Sequence, residues 1–108
     1  MAYEITLDRV EAAMQFMAET DEPYAVAVTE LESSEIRRKR VRARVFLDSD
    51  GTVAERNAEA EVHGDTEAAD DAYVQAMLRK ETFKARRQRA ELVIELYRTL
   101  SANQRRGS

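Results

Sequence analysis

From Asp65 to Asn103 the chain runs 39 residues without a glycine or a proline, which leaves the backbone no cheap place to turn. Alanine, glutamate, arginine and leucine fill much of this run, and all are strong helix formers. Glu67, Asp70 and Asp71 suit the electropositive start of a helix. Ala69, Tyr73, Ala76, Phe83, Ala90, Ile94 and Tyr97 recur at 3-4 spacing, interrupted on the same seam by Lys80 and Arg87. A straight helix of this length would extend ~58 Å, more than one 108-residue monomer readily covers. Leu92, Val93, Leu96 and Leu100 also make its last turns apolar on nearly every side, where a surface helix needs one stripe. The excess predicts burial by an upstream helix, by another subunit, or by both. Phe83, Ala90, Val93, Ile94, Tyr97 and Leu100 are the candidate interface of a homo-oligomer.

The upstream half divides less cleanly. Leu7, Val10, Met14 and Met17, widened by Ala13, predict a helix over 6–20 that stops at "TDEP". Pro23 suits the first turn of a second helix over 23–47, whose seam would be Ala27, Leu31, Ser34, Arg38, Val41 and Val45. A strand alternative uses the alternation of Val41, Ala43, Val45 and Leu47, with "DSDG" as a hairpin turn. It gives an α+β fold with a hairpin around residues 36–62, in which Arg44, Arg40 and Arg38 would face Glu55, Glu59 and Glu61. Thr52 and Glu55 fit a helix capping box instead, and "AERNAEAEV" is poor in strand formers. The favoured layout is all-α: an elongated antiparallel helical hairpin or small bundle forming one domain. Its helices are expected at 6–20, 23–47, 52–62 and 65–103, the last capped by Asp65 or Thr66, followed by a flexible tail at 104–108.

Function classes are narrowed mainly by what the composition lacks. No cysteine means no disulfide, thiolate metal site or cysteine nucleophile. No apolar run reaches the ~18 residues of a membrane span, and the opening residues carry acids where a signal peptide carries cations. A soluble, cytoplasmic protein without a membrane partner is expected. No nucleophile–base arrangement stands out, so the expectation is a non-enzymatic protein without cofactors. His63, near Glu61 and Asp65, reads as a loop or cap residue rather than a metal ligand. "DSDGT" opens like a calcium loop, but its glycine is fourth where the sixth position needs it.

The net charge of −4 conceals alternating blocks. Residues 1–35 carry −8, 36–46 carry +6, 47–71 carry −8 and 72–108 carry +6. Arg37, Arg38, Lys39, Arg40, Arg42 and Arg44 crowd into eight positions, and Arg79, Lys80, Lys84, Arg86, Arg87 and Arg89 form a second basic run. Two outcomes are open. In an antiparallel hairpin the first run would meet Glu67 to Asp71, and the second would meet Glu30, Glu32 and Glu35. Alternatively the cations face outward to phosphates, which requires only clustered positive charge and is strongly salt dependent. The candidate DNA-binding residues are Arg37, Arg38, Lys39, Arg40, Arg42, Arg44, Lys84, Arg86 and Arg87. Without a helix-turn-helix or zinc module, sequence-specific readout is not expected.

Two stretches, "GTVAERNAEAE" (51–61) and "RAELVIELYRTLSANQRR" (89–106), follow a basic segment in an order that resembles small uncharacterised helical proteins of tailed phages and prophages. The resemblance covers roughly Pro23 to Arg106, and its motifs are built from common helix formers. Such proteins are similar in size and layout to UvsY-type phage recombination mediators, which are oligomeric and bind single-stranded DNA. The resemblance implies an accessory role in DNA recombination or replication in the cytoplasm of a bacterial host. Single-stranded DNA and a recombination protein would be its partners, with Arg37, Arg38, Lys39, Arg40, Arg42 and Arg44 as the first phosphate contacts. The other class to be weighed is a structural or adaptor coiled coil whose basic run is satisfied by its own acids.

Overall fold

A computed structural model describes residues 5–107. It is all-α: α1 spans Leu7–Asp48, α2 Val53–Val62 and α3 Gly64–Arg106. No strand occurs among the described residues, so the α+β alternative around 36–62 is overturned. The alternation that suggested it coincides with the α1 seam, where Val41 and Val45 lie four residues apart.

The expected break between 6–20 and 23–47 does not occur either, and α1 continues through Pro23. An interior proline removes one backbone hydrogen bond and costs about 3 kcal/mol by itself. Here the seam holds its 3-4 phase across the proline: Val10, Ala13, Met17, Thr20, Tyr24 and Ala27 are all buried or half-buried. Just before Pro23, Arg87 of α3 donates to the Met17 carbonyl at 3.0 Å and to Thr20 Oγ1 at 2.6 Å. Packing by the partner helix therefore outweighs the local propensity to stop. The phase differs slightly from the expected stripe, because Leu7 and Met14 are exposed.

Contacts gather the chain into two compact units, Met1–Ala25 with Glu81–Ser108, and Val26–Lys80. In the first unit the α1 seam meets Phe83, Arg87, Ala90, Ile94 and Tyr97, all buried or half-buried. In the second, Ala27, Leu31, Ser34, Arg38, Val41 and Val45 form the α1 seam, and Thr66, Ala69, Tyr73, Ala76 and Lys80 the α3 seam. Fully buried positions are mostly small. Ala13, Thr20, Ala27 and Ser34 lie seven residues apart on α1, and Ala69, Ala76 and Ala90 keep the same phase on α3. These small positions alternate along the seam with larger, half-buried ones such as Met17, Tyr24, Tyr73 and Phe83. The two buried hydroxyls of α1 bond backward along their own helix, Thr20 Oγ1 to the Phe16 carbonyl at 2.6 Å and Ser34 Oγ to the Glu30 carbonyl at 2.7 Å, whereas the Thr66 hydroxyl of α3 has no hydrogen-bond partner among the described residues.

The ends of α2 are set by local chemistry. Thr52, with ψ of 167°, is its N-cap and accepts from the Glu55 amide at 3.2 Å. Its own hydroxyl donates to the Glu55 carboxylate at 3.1 Å, a side-chain closure of the capping pair. Gly51 precedes it at φ +108°, and a Cβ there would lie 2.6 Å from Glu55 Oε2. Gly51→Ala is therefore expected to cost about 1–2 kcal/mol, read as a lowered urea midpoint at unchanged m-value.

One residue separates α2 from α3. The His63 amide bonds the Glu59 carbonyl at 2.9 Å, closing α2, and the His63 carbonyl accepts from Glu67 at 3.0 Å, opening α3. Its Nδ1 also accepts from the Asp65 amide at 3.0 Å. His63 thus caps the helix, in place of the expected Asp65 or Thr66. At the far end α3 continues to Arg106, past the expected end at 103 and into the stretch expected to be a flexible tail. Arg105 Nε bonds the Ser101 carbonyl there at 3.4 Å.

Candidate nucleic-acid interface

The basic run of α1 is split by helix periodicity into paired and unpaired members. Arg42 is half-buried and ion-paired to Glu61 of α2 and, at 3.7 Å, to Asp70 of α3. The Arg38 guanidinium sits 4.3 Å from the centre of the Tyr73 ring, on the seam itself. Lys39 pairs with Glu35 one turn earlier at 3.6 Å. Arg37, Arg40 and Arg44 are exposed and have no carboxylate partner among the described residues. Their 3- and 4-residue spacing places them along one side of α1. Arg37 lines a shallow groove with Glu30, Ser33, Ala72, Gln75 and Arg79. Arg79 belongs to the same unit, donating to Glu30 at 2.8 Å.

Both contacts expected of the antiparallel hairpin are thus present in this unit: the basic run reaches Asp70, and Glu30 meets the second run. The same geometry engages Arg38 and Arg42 within the fold, although the Arg42 side chain stays 41% exposed. Exposed pairs such as Glu30–Arg79 contribute about 0–1 kcal/mol each and serve chiefly to fix helix register.

In the other unit Arg87 is not an outward-facing residue. Its side chain is 15% exposed and ion-paired to Asp21 at 2.6 Å, in addition to its bonds to Met17 and Thr20. Its guanidinium also lies 5.2 Å from the Tyr24 ring centre. Lys84 and Arg86 are exposed. Arg86 stands with Arg9 and Arg89 around a groove of about 370 Å³ that also includes Phe16 and Val93. Arg9 and Phe16 were not among the expected site residues. In hindsight their signal was phase: residues 9 and 16 are a heptad apart and flank the seam positions 10, 13 and 17.

Four of the six expected oligomer-interface residues, Phe83, Ala90, Ile94 and Tyr97, lie on the α3 seam and are buried or half-buried within the chain's own fold. Val93 is half-buried at the groove, and Leu100 remains exposed together with Leu92 and Leu96. The exposed apolar surface on the last turns of α3 therefore lies at these leucines and not on the seam. Among the described residues no helix is long and apolar enough to cross a membrane. Comparison with known proteins returned no family model, no curated protein and no solved structure that matches the chain.

Proposed function

We propose that this is a non-enzymatic helical hairpin that binds single-stranded nucleic acid without sequence preference. The supporting observation is the row formed by Arg37, Arg40 and Arg44, exposed on one side of α1 and unpaired although carboxylates are plentiful in the same unit. In their own unit Arg38, Arg42 and Arg79 are matched, whereas these three have no carboxylate partner among the described residues. Phosphate contacts ask for positive charge and little else, and their strength falls steeply with salt. One row of three is a weak site, so self-association would raise avidity by joining several. Exposed Leu92, Leu96 and Leu100 offer apolar surface for such an assembly. An accessory role in phage DNA recombination or replication, loading a recombinase as an oligomer in the cytoplasm of a bacterial host, rests on the resemblance of residues 51–61 and 89–106 and is proposed on that basis.

The Arg42–Glu61–Asp70 cluster and the stacked Arg38 favour a second function, a structural or adaptor hairpin whose cations serve its own fold. Fluorescence anisotropy of a labelled single-stranded oligonucleotide, titrated at several salt concentrations, separates the two. The wild-type chain should bind at low salt with log affinity falling linearly against log salt. Combined R37E, R40E and R44E should weaken that binding strongly and make its salt dependence shallower, while leaving the thermal midpoint near wild type. R42E should instead lower the midpoint, because it sets a third carboxylate beside Glu61 and Asp70. Unchanged affinity in the triple variant, or no wild-type binding at low salt, would leave the adaptor role standing.

A further inference from the structure

The groove in the unit formed by residues 1–25 and 81–108 combines features that the charged row on α1 lacks. Its floor is made of buried Ala13 and Ala90, small enough to leave a recess of about 370 Å³ between the helices. The groove is open to solvent along its length, so an occupant would lie against it on one face without being enclosed. Half-buried Phe16 and Val93 form its walls, with Ala12 beside them. Arg86 and Arg89 stand exposed at its edge, without a carboxylate partner among the described residues, and Arg9 lines it from α1.

An occupant that uses all of these features must be flat and partly apolar on one part and anionic on another. An acidic peptide would satisfy the arginines but make no use of an aromatic wall beside an alanine floor. A purely apolar ligand would leave the cations unused. A nucleotide has both parts in one unit, a π-faced base and a phosphate at a short fixed distance. We infer that this groove is a subsite for one unpaired base of a single strand, stacked against Phe16, with the adjoining phosphates held by Arg86 and Arg89. The inference rests on the nucleic-acid function proposed above and adds to it a reason for single-strand preference. A base within a duplex has both faces covered by its neighbours and cannot enter the recess. Stacking is sequence-tolerant because every base has a π-face, in keeping with the absence of a base-reading module.

The chain as a whole tests this directly, because it contains no tryptophan. Phe16→Trp creates a single indole in the groove, and its emission should be quenched as an oligothymidylate strand is added. An abasic strand of the same length, which carries phosphates but no bases, should bind in a salt-dependent manner without quenching. Phe16→Leu keeps an apolar wall but removes the π-face. It should weaken oligothymidylate binding about tenfold while leaving the salt slope unchanged. Combined R86Q and R89Q should make that slope shallower by roughly 1.4, at ~0.7 per lost phosphate contact on a single strand.

Equal quenching by the abasic strand, or wild-type affinity in Phe16→Leu, would overturn the stacking subsite while leaving salt-dependent binding by Arg37, Arg40 and Arg44 intact. Absence of any strand binding by the wild-type chain would overturn the nucleic-acid function and this subsite with it. A change in sedimentation of Phe16→Leu in the absence of DNA, with wild-type strand affinity, would assign the groove to contact between copies of the chain and likewise overturn the proposal.

Discussion

Arg87→Ala is expected to cost about 2–4 kcal/mol of folding stability, more than loss of any other cation of the basic runs. The side chain is 15% exposed and donates to three groups on α1: the Met17 carbonyl, Thr20 Oγ1 and Asp21 Oδ1. Asp21 is 70% exposed, so the ion pair alone contributes little. Most of the effect comes from the partly buried Met17 and Thr20 acceptors and from the guanidinium beside the Tyr24 ring. These bonds lie one turn before Pro23, where α1 lacks an internal hydrogen bond. Urea denaturation followed by circular dichroism measures the loss. Arg87→Lys should recover only part of it, since one ammonium cannot reproduce a planar fork reaching three acceptors. A stability within 0.5 kcal/mol of wild type for Arg87→Ala would show that the cluster does not brace the proline-containing turn.

Ala27→Leu is the second large effect, and its sign opposes the usual rule for paired helices. Leucine on a heptad seam ordinarily strengthens a coiled coil. Ala27 is only 1% exposed, and the fully buried positions in phase with it are Ala13, Thr20 and Ser34. A branched side chain forced into that space must push the helices apart or leave its rotamer well. The expected cost is about 2–3 kcal/mol, seen as a lower thermal midpoint. Ala27→Gly serves as the control, because it removes bulk instead of adding it and should lose about 1 kcal/mol through helix propensity. A higher midpoint for Ala27→Leu would mean that the helices are spaced by larger residues than the alanines suggest.

The periodicity that marked the α3 seam was legible because each of its positions recurs at 3 or 4 residues, and the seam over 27–45 was legible for the same reason. Thr52 and Glu55 were legible as a cap because the chemistry is confined to four residues. Pro23 misled for the converse reason. A proline reports the local cost of helix but not the long-range contacts that offset it, and Arg87 lies 64 positions downstream. His63 was recognised as a possible cap, yet the cap of α3 was sought at Asp65 or Thr66. Composition around "HGD" does not reveal that α2 and α3 abut across a single residue.

Among the candidate site residues, position along the chain could not distinguish Arg37, Arg40 and Arg44 from Arg38 and Arg42, since all fall in one short basic run. Helix phase makes them candidates for different faces. Only the placement of Tyr73, Glu61 and Asp70 decides which of them are already engaged. The groove at Phe16 was illegible because it is assembled from residues about 70 positions apart, none unusual in its own neighbourhood.

By itself, then, the sequence determined that the last segment is one long helix, where its seam runs, and the seam over 27–45, and it offered the pairing of acidic with basic blocks as one of two outcomes. Each of these follows from interactions within a few turns or from charge summed over a block. The tertiary structure decided that α1 runs unbroken through Pro23, that Arg87 turns inward and Arg37 outward, and that small seam residues open a recess beside Phe16. Those outcomes depend on which atoms of one helix stand opposite which atoms of the other, and local free energies along a single helix do not contain that information.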